Sequence, residues 1–106
     1  MPDKINMIAG QYTAMGYESI TVSTAAIGFT FGTFFTSTKH ARRALVTVED
    51  AQIRYRYDGT DPTSSEGHIL NPMDVLTLTG LTNIRNFKAI RKGTTDAKLR
   101  VTFEED

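Results

Sequence analysis

The chain of 106 residues contains no cysteine. That absence excludes disulfide staples, thiolate catalysis and cysteine-based zinc sites. It also leans toward synthesis and folding in the cytosol, since small secreted domains so often carry disulfides. Net charge is missing as well, because 12 Lys and Arg balance 12 Asp and Glu. A neutral chain lacks the basic field with which proteins hold nucleic acid or an anionic membrane. Neither a membrane nor direct sequence-specific nucleic acid is therefore expected as a partner. At the N-terminus, Met1-Pro2-Asp3-Lys4-Ile5-Asn6 has no basic region leading into an apolar run, so no signal peptide is expected.

Charge also vanishes locally, between Ser19 and Lys39, and Lys39, Arg42 and Arg43 then follow. A spanning helix needs about 20 mostly apolar residues. Here Thr21, Thr24, Thr30, Thr33, Thr36 and Thr38, with Ser19, Ser23 and Ser37, fill nearly half of the stretch. It is expected to lie against protein, in the domain's own core or at a subunit interface.

What is present is alternation. Period-two apolar patterning bounded by turn residues reads as strand. Ile20 to Ser23, Gly28 to Phe31, Leu45 to Val48, Ile53 to Tyr57, Val75 to Thr79 and Phe87 to Arg91 all carry it. The last such run places Leu99, Val101 and Phe103 inward and Lys98, Arg100 and Thr102 outward. Asp58-Gly59-Thr60-Asp61-Pro62 and Asn71-Pro72-Met73-Asp74 read as turns, with Gly59 accepting positive φ. Six to eight short strands predict an all-β, antiparallel β-sandwich or jelly-roll-like barrel. Residues 1–18 hold three methionines and two glycines without strong alternation. They read as an N-terminal arm or short helix ordered by a neighbouring subunit, ahead of a single β domain at 19–106.

The stretch Ala25 to Phe35 is uncharged, aromatic and free of proline, a composition that is hazardous when uncovered. As an ordinary core strand it would be unremarkable. As an interface, Phe29, Phe31, Phe34 and Phe35 would fill a partner's apolar seam, with Arg42 and Arg43 beside them to pair with acidic groups. Basic residues of the second half, Arg54 to Arg100, face an acidic loop and tail; this suits contacts between identical subunits, or simply the charged outer face of a sheet.

Catalytic templates fail. There is no H-E-x-x-H, P-loop, G-x-G-x-x-G or G-x-S-x-G, and His40 and His68 are the two histidines. Ser64 and Ser65 near His68 are loop neighbours, not a triad. Asp58, Asp61 and Glu66 offer oxygen ligands but not an EF-hand pattern. No enzyme, cofactor or metal is expected. A carbohydrate- or receptor-binding module is the alternative, with Tyr55 and Tyr57 as stacking faces.

The run Ala44 to Thr63 leads into Gly67-His68-Ile69-Leu70, then Leu76-Thr77-Leu78 and Asn83 to Arg91. This pattern resembles a group of small tailed-bacteriophage virion proteins, over about residues 40–104. The resemblance implies a structural role in the particle, as a head-decoration, neck or tail-associated protein. It implies assembly in many copies, made in the host cytoplasm, against major capsid or neck and tail proteins. It carries no catalytic motif and assigns no functional residue.

Overall fold

The computed structural model describes residues 12–106. Seven strands and two short helices follow the chain in the order β1 (Thr13–Val22), α1 (Phe31–Phe34), β2 (Arg43–Glu49), β3 (Ile53–Arg56), β4 (His68–Leu70), β5 (Val75–Thr79), α2 (Leu81–Asn86), β6 (Lys88–Arg91) and β7 (Ala97–Glu105). They build two antiparallel sheets, one ordered β1-β7-β2-β5 and the other β4-β3-β6. The sheets pack face to face in a β-sandwich-like arrangement, as the alternation predicts.

Alternation dictates this because a strand exposes successive side chains to opposite faces. In β7, Ala97, Leu99, Val101 and Phe103 are all buried, and the residues between them are not. Their inward-facing partners are Ile20 and Val22 on β1, then Ala44, Val46 and Val48 on β2, with Leu78 on β5. Ile53, Leu70, Ala89 and Phe87 close the core from the other sheet. No polar or charged residue is buried among the described residues, so the interior carries no charge to desolvate.

Two turns behave as their residues require. Gly59 takes φ +92, and the Asp58 carboxylate accepts the Thr60 N–H two residues on. In the second, Asn71 N–H donates to the Asp74 carboxylate and Asp74 N–H to the Asn71 carbonyl. There Met73, after Pro72, adopts φ +78, where such turns usually place glycine.

Three expectations are corrected. First, Thr13 to Glu18 do not belong to an arm but form more than half of β1, paired with β7 from Thr13↔Glu105 onward. The alternation there is blurred by a register irregularity between Ala14 and Gly16. An extra residue of this kind shifts every following side chain to the opposite face. The rest of the expected arm, residues 1–11, lies outside the described residues.

Second, Gly28 to Phe31 is not a strand. Ile27 forms one isolated antiparallel bridge with Ala89 on the edge of β6, and Phe31–Phe34 is a single helical turn. A strand would put Phe29 and Phe31 on one face. Packing instead takes Phe29 and Phe34 inward and leaves Phe31 outside, a spacing that period two cannot deliver. Third, α2 lies where no helical stripe is visible. Ile84 is its one buried residue, and a single apolar anchor makes no periodicity.

Candidate functional site

The segment between β1 and β2 forms a cap on the core, and its outer side is aromatic. Phe34 is 2% exposed and belongs to the interior. Phe29 stacks on Phe87 at 4.5 Å and meets Phe103 edge-on at 5.2 Å. These two side chains hold the cap down. Phe31, by contrast, is 51% exposed. It stacks on Phe35 at 4.9 Å, and Phe35 stacks on His40 at 4.0 Å with the rings nearly coplanar in orientation, 7° apart.

The backbone holds this stack together. Phe35 and His40 form an antiparallel bridge across a tight turn, closed by the Thr36 N–H donating to the Lys39 carbonyl at 2.8 Å. The Thr36 hydroxyl oxygen also accepts the Lys39 N–H at 3.0 Å. From α2, the guanidinium of Arg85 lies over the rings of Phe31 and Phe35 at 5.7 and 5.9 Å, within cation–π range. The result is a pre-stacked platform of two phenylalanines and a histidine, Phe31 and His40 exposed and Phe35 half-buried against the core, edged by an arginine.

The basic residues next to it are already engaged. Arg43 pairs with Glu104, Arg42 with Asp106 at 3.1 Å and Lys39 with Glu105 at 3.6 Å. The chain's own acidic end thus neutralises the basic cluster, and Ala41 between them is fully buried. Of the six interface candidates, Phe31 and Phe35 form the platform, Phe34 packs within the core with half-buried Phe29 against it, and Arg42 and Arg43 bind the tail. Arg85 and His40 complete the platform. Neither was legible as part of it: His40 is brought onto Phe35 by a tight turn that the basic cluster around it does not announce, and Arg85 arrives from a helix 50 residues later than Phe35 in the chain.

The second apolar feature is on the outer face of the four-stranded sheet. Register places Tyr17, Thr102, Leu45 and Thr77 in one cross-strand row. Tyr17, Leu45 and, one row over, Val75 are exposed.

The other candidates sit around the β3–β4 loop. Tyr55 is packed against Phe87 at 5.7 Å, and burial pushes its phenol up. Tyr57 is 40% exposed. The Arg56 guanidinium, hydrogen-bonded to both oxygens of Asp58, holds that carboxyl well below its ordinary value, at about 2. Asp61 reaches Lys88 instead, at 3.4 Å. Among the described residues no three His, Asp or Glu side chains converge as a metal site, and no helix is long and apolar enough to cross a membrane.

Comparison of the chain with protein-family models, with curated proteins and with solved structures finds no match.

Proposed function

We propose that this protein is a non-enzymatic virion structural component that assembles in multiple copies in a bacteriophage particle, as a capsid-decoration or head–tail component. The observation that carries the assembly half of this reading is the Phe31–Phe35–His40 stack beneath Arg85. Aromatic side chains and arginine are the residues over-represented at the energetic centres of protein interfaces. Here they are pre-stacked, so little side-chain entropy remains to be lost on docking. The row containing Tyr17 and Leu45 on the outer face of the four-stranded sheet offers a second contact. Two separate surfaces suit a protein that touches a sister subunit and a capsid, neck or tail protein together.

The phage half of the reading rests on the resemblance of the Ala44–Arg91 pattern. Its expected locations are the host cytoplasm during synthesis and the particle afterwards. Light scattering on the full chain after size exclusion tests the assembly. A mass well above 11.8 kDa is expected, falling to the monomer in Phe31→Ala. A monodisperse monomer at all concentrations, unchanged by that substitution, would overturn the proposal.

A further inference from the structure

We propose that the cleft between the β3–β4 loop and α2 is a binding site for a neutral saccharide, with the Tyr57 ring as its stacking face and Arg56, Asp58, His68 and Asn83 as its hydrogen-bonding groups. The inference is independent of the assembly reading, since it uses none of the platform residues.

The cleft is lined by Arg56, Tyr57, Asp58, His68 and Asn83 and measures about 390 Å³. That lies within the roughly 300–1,000 Å³ span of small-ligand sites. A second hollow shares Arg56, Asp58 and His68 and extends the groove to Glu66 and Gly67. The combined trough suits a ligand longer than one ring.

Its walls are held before any ligand arrives. Tyr57 stacks against Tyr55 at 6.3 Å and 16°, and Tyr55 is anchored on Phe87 in the core. Arg54 reaches across the loop and donates to the carbonyls of Ser64 at 3.0 Å and Gly67 at 2.8 Å. Thr63 and Glu66 exchange backbone hydrogen bonds at 2.9 and 3.3 Å, which closes the loop tip. On the far wall, Asn83 is fixed by donating to the Thr79 carbonyl at 3.0 Å, leaving its amide oxygen as an acceptor. Rigid walls of this kind reduce the ordering cost of binding.

Charge selects the ligand class. The Arg56 guanidinium is matched by Asp58, and Glu66 stands further along the groove. A phosphate or carboxylate would meet two carboxylates there, and a cation would meet Arg56. What remains is a neutral ligand with many donors and acceptors and one apolar face. A pyranose ring has that character: its C–H face covers an aromatic ring, and its hydroxyls serve planar guanidinium, carboxylate and amide groups together.

The test is a titration of the isotopically labelled full chain, followed through its backbone amide resonances. The probes are maltotetraose, cellotetraose, chitotetraose and xylotetraose, with inorganic phosphate and an uncharged tetrapeptide alongside. At least one oligosaccharide is expected to shift Tyr57, Asp58, His68 and Asn83 saturably, with roughly millimolar affinity. Tyr57→Ala should weaken it roughly tenfold, while Tyr57→Phe and Phe31→Ala retain it. Should Tyr57→Ala fail to fold, Asp58→Asn gives the same loss at an exposed position. If no oligosaccharide moves these amides, or only the phosphate or peptide does, or Tyr57→Ala and Asp58→Asn bind undiminished, the proposal is wrong.

Discussion

β7 and the cap between β1 and β2 feed side chains into the same core, but the chain holds them there in opposite ways. β7 is hydrogen-bonded along both edges, to β1 and to β2, and buries every second residue. The cap has one bridge to the sheets, Ile27 with Ala89. Backbone bonds hold its two ends, from Arg91 N–H to the Ser23 carbonyl at 3.1 Å and from Arg42 N–H to the Glu104 carbonyl at 2.7 Å. Side-chain tethers run from Thr30 N–H to the Glu18 carboxylate at 2.9 Å and from Lys39 and Arg42 to Glu105 and Asp106. Its attachment is otherwise the packing of Phe29 and Phe34 against Phe103 and Phe87. A segment held by packing and a few scattered hydrogen bonds can open while the sheets stay formed. The platform therefore rides on a segment with fewer hydrogen bonds to the sheets than the strands have to one another.

Phe103 is where the two regions meet, so its removal breaks the comparison most severely. It is fully buried, paired in the middle of its sheet, and touched by both Phe29 and Phe34. Phe103→Ala should cost about 3–5 kcal/mol, read as a fall in the urea midpoint. It should also release the cap, seen as faster amide exchange at Phe34 and Phe35. If exchange in the cap is unchanged, the packing account of its attachment fails.

A smaller effect is expected at Gly16, on the seam between the regions. A Cβ there would stand 2.6 Å from the backbone carbonyl oxygen of Thr33, which no side-chain rotation can relieve. Gly16→Ala should destabilise by about 1–3 kcal/mol through forced displacement of the helical turn. Ala at an exposed position of the same strand, Thr13→Ala, provides the control in which α1 stays in place.

The contrast also explains what could be read from the chain beforehand. In β2, β5 and β7 the local pattern and the tertiary demand coincide, so Leu45 to Val48, Val75 to Thr79 and Leu99 to Phe103 were legible residue by residue. The β domain, its two turns and its strand number followed from that. In the cap they diverge. Gly28-Phe29-Thr30-Phe31 alternates, yet no free strand edge extends beyond Ile27 to receive it, and a strand without a neighbour has no hydrogen-bonding reason to exist. The platform was half visible for the same reason. Composition marks Phe31 and Phe35 as needing cover, but their partner His40 is set by the turn that bridges it to Phe35, and Arg85 by tertiary packing. The cleft was less visible still, since Asn83 and His68 come together only when α2 and β4 are placed.

The β3–β4 loop is attached in a third way, by hydrogen bonds from Arg54 to the Ser64 and Gly67 carbonyls and by the Arg56–Asp58 pair at its start, and that pair sharpens the comparison through pH. The Asp58 carboxyl, held down to about 2 by Arg56, has an ordinary value of 3.8. A depressed folded-state value means the pair contributes its stability above the unfolded value and loses it as pH falls through the folded one. The Arg56–Asp58 contact should thus be lost between pH 3.8 and 2, while the Arg54 bonds to the loop carbonyls and the apolar contacts of the cap are indifferent to that change. A carboxyl-carbon titration of Asp58 should show the low midpoint, moving back toward 3.8 in Arg56→Gln. An ordinary midpoint in the unmodified chain would remove the charge tether from the account.

The smallest effect on stability is expected three residues from one of the largest. One helical turn separates Phe31 from Phe34, and it divides a half-exposed ring from one that is 2% exposed. Phe34→Ala should resemble Phe103→Ala in sign and approach it in size, tempered by collapse of the cap into the space. Phe31→Ala removes the stack on Phe35 and the ring beneath Arg85, which water can largely replace at the surface, and one edge contact with Phe34 at 5.4 Å. Its cost should stay under about 1 kcal/mol, measured by the same urea transition. The informative outcome is the pairing of that small stability change with loss of self-association. A ring that matters little to the isolated domain but governs its assembly is conserved in energy for a partner, whereas a large destabilisation by Phe31→Ala would make the platform an outlying part of the core.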